Sequence, residues 1–380
     1  MKELQQILEL WQHAESAGQA AVLATVVKTQ GSAYRLPGAR LLLTRDGRHA
    51  GSVSGGCLEQ DLLKKAWWMT EAGPMLRRYD TTPDGEIAAE YGLGCNGIIH
   101  VLLERLMPES TTVLDLLRRV RAERRPAAVA HLFGPRSAVG QRLVINTCAE
   151  ISHNVDDPEL AASLLAEARA ALEETASRSP DLPNGAEAFV ETLAPAIRLV
   201  VFGAGDDAVP MSTLAKHLGW HVTVIDGRAH YARPEKFPLA DEVLVRPAGA
   251  SGMASQIDPW TVAILMTHSY SQDLENLREL AGRSLRYLGI LGPRKRTLQL
   301  LGDAGLDERK LAPELHGPMG LDIGADGPEQ VALAAIAEIQ ATLNGRQGGL
   351  LRDRSGSIHA REEAAQESDR FSLRSVACAL

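Results

Sequence analysis

The sequence is poor in aromatic residues and contains no long apolar run. Phe, Trp and Tyr together make up 4% of its 380 residues, whereas Ala, Leu, Val and Gly are plentiful, so we expect aliphatic cores. No stretch of about 18 consecutive apolar residues occurs, so we expect no membrane span. The first residues also lack the apolar core of a signal peptide, and we therefore expect a cytoplasmic protein.

Basic residues are also in deficit. The chain has 40 Lys and Arg against 48 Asp and Glu, which gives a formal net charge of −8. Because nucleic acid binding requires a basic face, we expect no nucleic acid partner. The four cysteines, at positions 57, 95, 148 and 378, are not arranged as a disulfide framework.

Strands and helices alternate in the second half of the chain, which is typical of a parallel sheet covered on both faces. Apolar segments that read as strands occur at 198–203, 221–226, 242–246, 261–267 and 287–292. The pattern predicts an α/β protein with a Rossmann-like domain over 195–345. The polar residues 346–380 lack sustained periodicity and predict a mobile tail.

The first half of the chain contains both helix-like and strand-like hydrophobic patterns, but strands and helices do not alternate regularly in it. A helix over 3–17 precedes a buried strand at 20–29, and a hairpin surrounds the turn Arg45-Asp46-Gly47. A helical stretch follows Cys57, and amphipathic helices and strands continue to about residue 193. We therefore predict a smaller α+β domain over 1–194.

A glycine-rich turn opens the Rossmann-like domain. Gly203-Ala204-Gly205-Asp206-Asp207-Ala208 is a G-x-G-x-x-A turn between an apolar strand and a helix. Gly203 permits the tight turn, and Gly205 lets the backbone approach a pyrophosphate. Asp226 ends the next strand, where a ribose contact is expected. Together these features indicate a dinucleotide fold, for which NAD(P) or FAD would be the ligand.

One feature argues against tight binding of a dinucleotide at this turn. Asp206 and Asp207 place two carboxylates in the first helical turn, where they would repel a pyrophosphate, so the motif is equally consistent with the fold alone. The basic cluster Arg294-Lys295-Arg296 follows a parallel strand and could receive phosphate. It could equally be a solvated helix face.

Two further glycine-rich turns each contain a cysteine. Cys57 follows Gly55 and Gly56 at the start of a helix, and Cys95 follows Gly94. A helix N-terminus stabilises the thiolate, which is the reactive and metal-binding form. Neither cysteine has the partner spacing of a zinc site, so sulfur transfer or a soft metal centre suits them better.

Several motifs in this order are similar to those of one family. The segments ATVVKTQGSAYRLPGARLLLTRDGRHAGSVSGGCLEQDL (24–62) and GLGCNGIIHVLLE (92–104) lie in the first half, and RLVVFGAGDDAV, ILMTH, YLGILGPRKR and PMGLDIGADGPEQVALAAIAEI in the second. With them the sequence resembles the XdhC/CoxI family of accessory proteins for molybdenum hydroxylases, such as xanthine dehydrogenase and carbon monoxide dehydrogenase.

The resemblance implies a maturation factor rather than an enzyme with turnover. Such a protein binds molybdenum cofactor, helps a cysteine desulfurase add the sulfido ligand and passes the cofactor to the apo hydroxylase. Cys57 and Cys95 would then lie near the metal, with Arg40 near the anionic part of the cofactor, and a homo-oligomer is expected. The alternatives are an NAD(P)-dependent oxidoreductase that uses the Rossmann-like domain, and a protein-interaction scaffold for dehydrogenase assembly.

Overall fold

The structure, a computed structural model, describes residues 2–82, 97–247, 257–311 and 314–354. Most of the predicted tail, from residue 355 onward, lies outside these ranges. The chain divides into two compact units, of which one spans Glu3–Pro195 and the other begins at Ala196. No helix in the described ranges has the length and apolar character needed to cross a bilayer. Cys148 is disulfide-bonded, which the cysteine pattern did not indicate.

The N-terminal unit is built on two antiparallel sheets. The strand order is β3-β2-β1-β5-β4 in the first and β8-β7-β6-β9 in the second. The strands are β1 (Ala21–Gly31), β2 (Arg40–Thr44), β3 (His49–Gly51), β4 (Met75–Asp80), β5 (Gly97–Leu106), β6 (Ala127–Gly134), β7 (Arg142–Asn146), β8 (Ile151–His153) and β9 (Glu187–Leu193).

Helices cover both faces of the first sheet, because successive apolar side chains of β1 point to opposite faces and both must be buried. The helices of this unit are α1 (Lys2–Ser16), α2 (Cys57–Met69), α3 (Val113–Glu123) and α4 (Pro158–Glu174). Leu23 packs in one core with Trp11 of α1 and with Val129 of the second sheet. Val22, on the opposite face, packs in another core with Leu58 of α2. The start of α2 is therefore fixed on the sheet.

The C-terminal unit is the predicted parallel sheet, with strand order β12-β11-β10-β13-β14-β15. Its strands are β10 (Arg198–Phe202), β11 (His221–Asp226), β12 (Glu242–Val245), β13 (Thr261–Leu265), β14 (Tyr287–Ile290) and β15 (Leu315–His316). Its helices are α5 (Ala208–His217), α6 (Tyr270–Leu280), α7 (Arg294–Ala304), α8 (Glu308–Leu311) and α9 (Pro328–Leu343).

Both faces of this sheet are buried, which confirms the predicted architecture. Val201 of β10 packs in one core with Met211 of α5 and Ala335 of α9. Its neighbour Phe202 packs in a second core with Leu277 of α6. The strand order reverses between β10 and β13, and ligands of open α/β sheets bind at such a point, beyond the carboxyl ends of the strands.

Candidate functional site

The turn before α2 is organised by one carboxylate, that of Glu59. Its Oε1 accepts hydrogen bonds from the backbone N–H groups of Val53 (2.9 Å) and Ser54 (2.8 Å) and from the Ser52 hydroxyl (2.7 Å). Its Oε2 accepts from the backbone N–H of Gly56 (3.0 Å) and from the Ser54 hydroxyl. One buried side chain thus fixes the whole turn against the first residues of α2.

These donors keep Glu59 ionised. Burial alone would raise the pKa of the carboxyl group, but the hydroxyls of Ser54 and Ser52 and the backbone N–H of Ser54 outweigh burial, and the pKa lies below its usual value. A carboxylate in the first turn of a helix also interacts favourably with the helix dipole. The turn is therefore held in one conformation by a charge.

Gly55 and Gly56 are exposed on this turn, and Cys57 begins α2 directly after them. Gly56 has a φ of 117°, in a region that residues with a Cβ rarely adopt. Gly55 lies against the exposed ring of Tyr34, and a Cβ at Gly55 would be 3.8 Å from that ring. The predicted glycine turn thus presents accessible backbone beside the position of Cys57.

The second cysteine turn falls on residues 83–96, outside the described residues, so the predicted roles of Gly94 and Cys95 stay predictions. The same is true of a metal or cofactor site shared by Cys57 and Cys95. In the part of the chain that the structure describes, no group of three or more His, Cys, Asp and Glu side chains is arranged to hold a metal ion.

Arg40 does not lie open to an anionic cofactor. Its side chain is 6% exposed, and its guanidinium donates to both carboxylate oxygens of Glu191 and to the carbonyl oxygen of Gly38 (2.9 Å). Glu191 belongs to β9 of the second sheet. The pair therefore links the two antiparallel sheets, which explains why an arginine occurs at the start of a buried strand.

The glycine turn after β10 has the geometry that the motif predicted. Gly203 has a φ of 123°, and a Cβ there would collide with the carbonyl oxygen of Met266 and lie 2.9 Å from the backbone nitrogen of Thr267. The turn thus passes directly over the end of β13, and only glycine allows that approach.

Gly203→Ala should therefore lower the free energy of unfolding by about 2 kcal/mol, because the new Cβ adds backbone strain to a collision with a neighbouring strand. Gly282→Ala is the matched control. Gly282 also has a positive φ, 75°, but no atom lies within 4 Å of its Cβ position. Urea unfolding of both variants measures the difference, and equal losses would show that the close approach is unimportant.

Asp226 has a structural role that the motif did not reveal. Its side chain is buried, and its Oδ2 accepts from the backbone N–H of Ala204 (3.0 Å) inside the glycine turn. Arg228 donates to both carboxylate oxygens, at 2.9 and 2.8 Å. Burial would raise the pKa of Asp226, but Arg228 and the backbone N–H groups lower it. In this arrangement the carboxylate is not open to a ribose hydroxyl.

The two carboxylates of the turn each have a cationic or imidazole partner. Asp206 is exposed and pairs with Lys236 (2.8 Å), whose hydrogen bond and charge lower the pKa of Asp206. Asp207 Oδ2 lies 2.7 Å from His268 Nε2, and both side chains lie beside Gly205. His268 has a φ of 58°, unusual for a residue with a Cβ. The motif ILMTH contained His268, but only the fold shows its partner.

The basic cluster after β14 divides into an exposed part and a buried part. Arg294 is exposed and pairs with Glu308 at 3.0 Å. Arg296 instead donates to Asp273 (2.7 Å), a buried carboxylate that also accepts from the Thr267 hydroxyl (2.7 Å). Arg296 therefore stabilises the ends of β13 and α6, and of these two arginines Arg294 is the one that a phosphate could approach.

Comparison with known proteins connects both units to one family. The XdhC Rossmann domain matches residues 199–339, and the XdhC and CoxI family matches residues 14–80. The chain is 32% identical to a probable xanthine dehydrogenase subunit of Bacillus subtilis, over 85% of this chain and 93% of the relative.

Two further relatives extend the similarity. The molybdenum cofactor insertion chaperone PaoD of Escherichia coli is 28% identical over 88% of this chain and 86% of its own length. A crystal structure of a xanthine dehydrogenase from Bacillus halodurans superposes with a TM-score of 0.71 and 30% identity, over 90% of this chain and 98% of that one. The chain belongs to the XdhC and CoxI family.

Proposed function

We propose that this protein is a maturation factor that binds molybdenum cofactor, supports its sulfuration and delivers it to a molybdenum hydroxylase of the xanthine dehydrogenase family. The observation that carries the proposal is the charged, preorganised turn at residues 52–56, which ends at Cys57. The similarity to a molybdenum cofactor insertion chaperone and to a xanthine dehydrogenase subunit supports it.

The chemistry of the turn suits this cargo. Molybdenum cofactor is a phosphorylated pterin whose dithiolene sulfurs hold an oxo-molybdenum centre, so it requires backbone donors and a soft or polar ligand near the metal. Gly55 exposes backbone, whereas the N–H of Gly56 already donates to Glu59, and the first residue of a helix favours the thiolate form of a cysteine. Cys57, and with it Cys95, would contact the metal or its sulfur.

The transfer also requires protein partners. A cysteine desulfurase would supply the sulfur for the terminal sulfido ligand, and the apo hydroxylase would accept the finished cofactor. A homo-oligomer working in the cytoplasm is part of the same proposal. The protein would bind and release its cargo once per transfer, without turnover of a metabolite.

We assign NAD(P) or FAD no part in this cycle. The carboxylate oxygens of Asp226 already accept hydrogen bonds from Arg228 and from the glycine turn. The Asp207–His268 pair lies against Gly205, where a dinucleotide would have to approach. A pyrophosphate would have to approach two carboxylates. Calorimetric titration of the full chain with NAD, NADP and FAD tests this, and micromolar binding of any of them would favour the oxidoreductase alternative.

The test of the proposed function is cofactor retention by Cys57→Ala. The wild type, purified from cells that make the cofactor, should contain molybdenum and a pterin that becomes fluorescent on oxidation. Cys57→Ala should retain at least tenfold less of both and should activate an apo xanthine dehydrogenase correspondingly less, because the metal loses its thiolate contact.

Lys64→Ala is the control, since Lys64 is an exposed residue of the same helix and its truncation should leave retention unchanged. Cys95→Ala, measured alongside, should behave like Cys57→Ala. A wild-type protein that neither retains the pterin nor changes activation of the hydroxylase would refute the proposal. Unchanged retention in Cys57→Ala would remove only Cys57 from the site.

A further inference from the structure

Two arginines flank one indole near the end of α2. The guanidinium carbon of Arg45 lies 5.4 Å from the centre of the Trp67 ring, and that of Arg105 lies 5.3 Å from it. Arg105 also donates to the carbonyl oxygen of Trp67. Arg45 belongs to the turn between β2 and β3, and Arg105 to β5, so three separate elements bring these groups together.

The two positive charges have no carboxylate partner among the residues that the structure describes. Asp46, the acid nearest in sequence to Arg45, is bonded to Arg48 at 2.8 Å and to the Thr44 hydroxyl at 2.5 Å. Nε of Arg105 is buried and has no hydrogen-bond partner. In a chain with a net charge of −8, two unneutralised cations beside one ring indicate an affinity for an anion.

A cavity of about 490 Å³ opens at this point. Its lining residues are Gly18, Gln19, Ala20, Arg45, Asp46 and Trp67. Its size is within the range of small-molecule sites, roughly 300–1,000 Å³. In this lining the guanidinium of Arg45 can pair with an anionic group, and the indole of Trp67 can pack against a flat ring. The exposed amide of Gln19 can hydrogen-bond to the polar edge of that ring. Gly18 leaves space, because no atom lies within 4 Å of its Cβ position.

We propose that this cavity binds a small planar aromatic anion, of which a nucleoside monophosphate is the representative. Its ring packs against Trp67, and its phosphate pairs with Arg45. Arg105, which contacts the indole and donates to the carbonyl oxygen of Trp67, adds positive charge beside it. The site is formed wholly within the N-terminal unit and is independent of both the Gly55–Cys57 turn and the Rossmann-like sheet.

The test is titration of the full chain with adenosine 5′-monophosphate, followed by calorimetry and by tryptophan fluorescence. The wild type should bind it, whereas adenosine, which lacks the charge, and ribose 5-phosphate, which lacks the ring, should each bind at least tenfold more weakly. Arg45→Ala should weaken binding at least tenfold, and Arg45→Gln similarly. The ring contact should quench the fluorescence of Trp67, and the quenching should persist in Trp68→Phe, which removes the exposed neighbouring indole.

Arg119→Ala is the matched control, because Arg119 is an exposed arginine of the same unit that already pairs with carboxylates. It should bind as the wild type does. Absence of wild-type binding, equal binding by adenosine or ribose 5-phosphate, or unchanged binding by Arg45→Ala would each overturn the proposal. The last result would place the nucleotide elsewhere on the chain. Urea midpoints of the arginine variants should equal that of the wild type, since Arg45 is exposed.

Discussion

Glu59→Ala is expected to lower the free energy of unfolding by about 4 kcal/mol and to abolish cofactor retention. The carboxylate accepts hydrogen bonds from three backbone N–H groups and two serine hydroxyls within one turn. Its removal leaves buried donors without an acceptor, and each such donor costs about 1–3 kcal/mol. The turn would lose the conformation that places Gly55 and Gly56 beside Cys57. Urea unfolding and pterin content measure the two effects.

Glu59→Gln tests whether the negative charge of the side chain matters beyond its size and shape. The carboxamide has the size of the carboxylate, but its NH2 group faces donors and cannot accept from them, so an intermediate loss of stability is expected. Glu71→Gln is the control, since Glu71 is an exposed acid just beyond the end of the same helix and should behave as the wild type. If Glu59→Gln retained full stability and full cofactor, the charge of the turn would have no part in either.

The C-terminal architecture could be predicted because its signals are local. The apolar strand, the glycines at 203 and 205 and the following helix are adjacent in sequence, and the alternation of strands and helices fixes a parallel sheet. The same locality explains why the helix start at Cys57 could be expected: the glycine pair and the helical periodicity both lie within a few residues of it.

The environment of each polar residue could not be predicted, because it depends on residues distant in sequence. Asp226 satisfies the dinucleotide motif, yet Arg228 and the turn backbone occupy both of its oxygens. The partners Asp207 and His268 are 61 positions apart. Glu59 lies within the motif at 24–62, three residues after the glycine that caps the helix. Its position in the sequence does not indicate that its carboxylate accepts five hydrogen bonds.

The hairpin of β2 and β3 around the turn at 45–47 is confirmed, but the antiparallel pairing of strands distant in sequence could not be predicted. The pairing of β1 with β5 places Leu23 opposite Glu104, and the second sheet depends on β9, which is separated from β6 by the whole of α4. Periodicity identifies these segments as strands but contains no information on their partners. For this reason the sequence favours a cofactor contact for Arg40 and gives no sign of its partner Glu191.

Arg40→Met is expected to lower the free energy of unfolding by about 4 kcal/mol, because it leaves the carboxylate of Glu191 buried without its counter-ion. The double variant Arg40→Met/Glu191→Met should recover most of that loss, since a buried ion pair can be replaced by apolar side chains of similar volume at little cost. Urea unfolding of the two variants and the wild type gives the comparison, with Arg48→Met as control for an exposed arginine that pairs with Asp46.

The same pair predicts a pH dependence. Burial alone would raise the pKa of Glu191, but the charge and hydrogen bonds of Arg40 and the His131 imidazole 3.5 Å away lower it from 4.5 to about 2. A carboxyl group with a lowered folded-state pKa stabilises the fold fully above its unfolded pKa, and this stabilisation is lost as the pH falls through the folded value. In Arg40→Met burial raises the pKa of Glu191, so the variant recovers stability as the pH falls towards 4.5, whereas the wild type loses stability between about 4.5 and 2. The stability difference between the two should therefore begin to shrink above pH 4.5 and continue to shrink down to about 2. A difference that stayed constant to about pH 2 would contradict the pairing.

The double variant also decides between the two roles considered for Arg40. If the guanidinium only links the sheets, Arg40→Met/Glu191→Met regains stability and retains cofactor as the wild type does. If Arg40 contacts the anionic part of the cofactor, as the resemblance implied, the double variant folds but retains at least tenfold less pterin. The burial of Arg40 and its bidentate pairing with Glu191 favour the first outcome. Pterin content at equal stability distinguishes a residue that builds the site from one that touches the cargo.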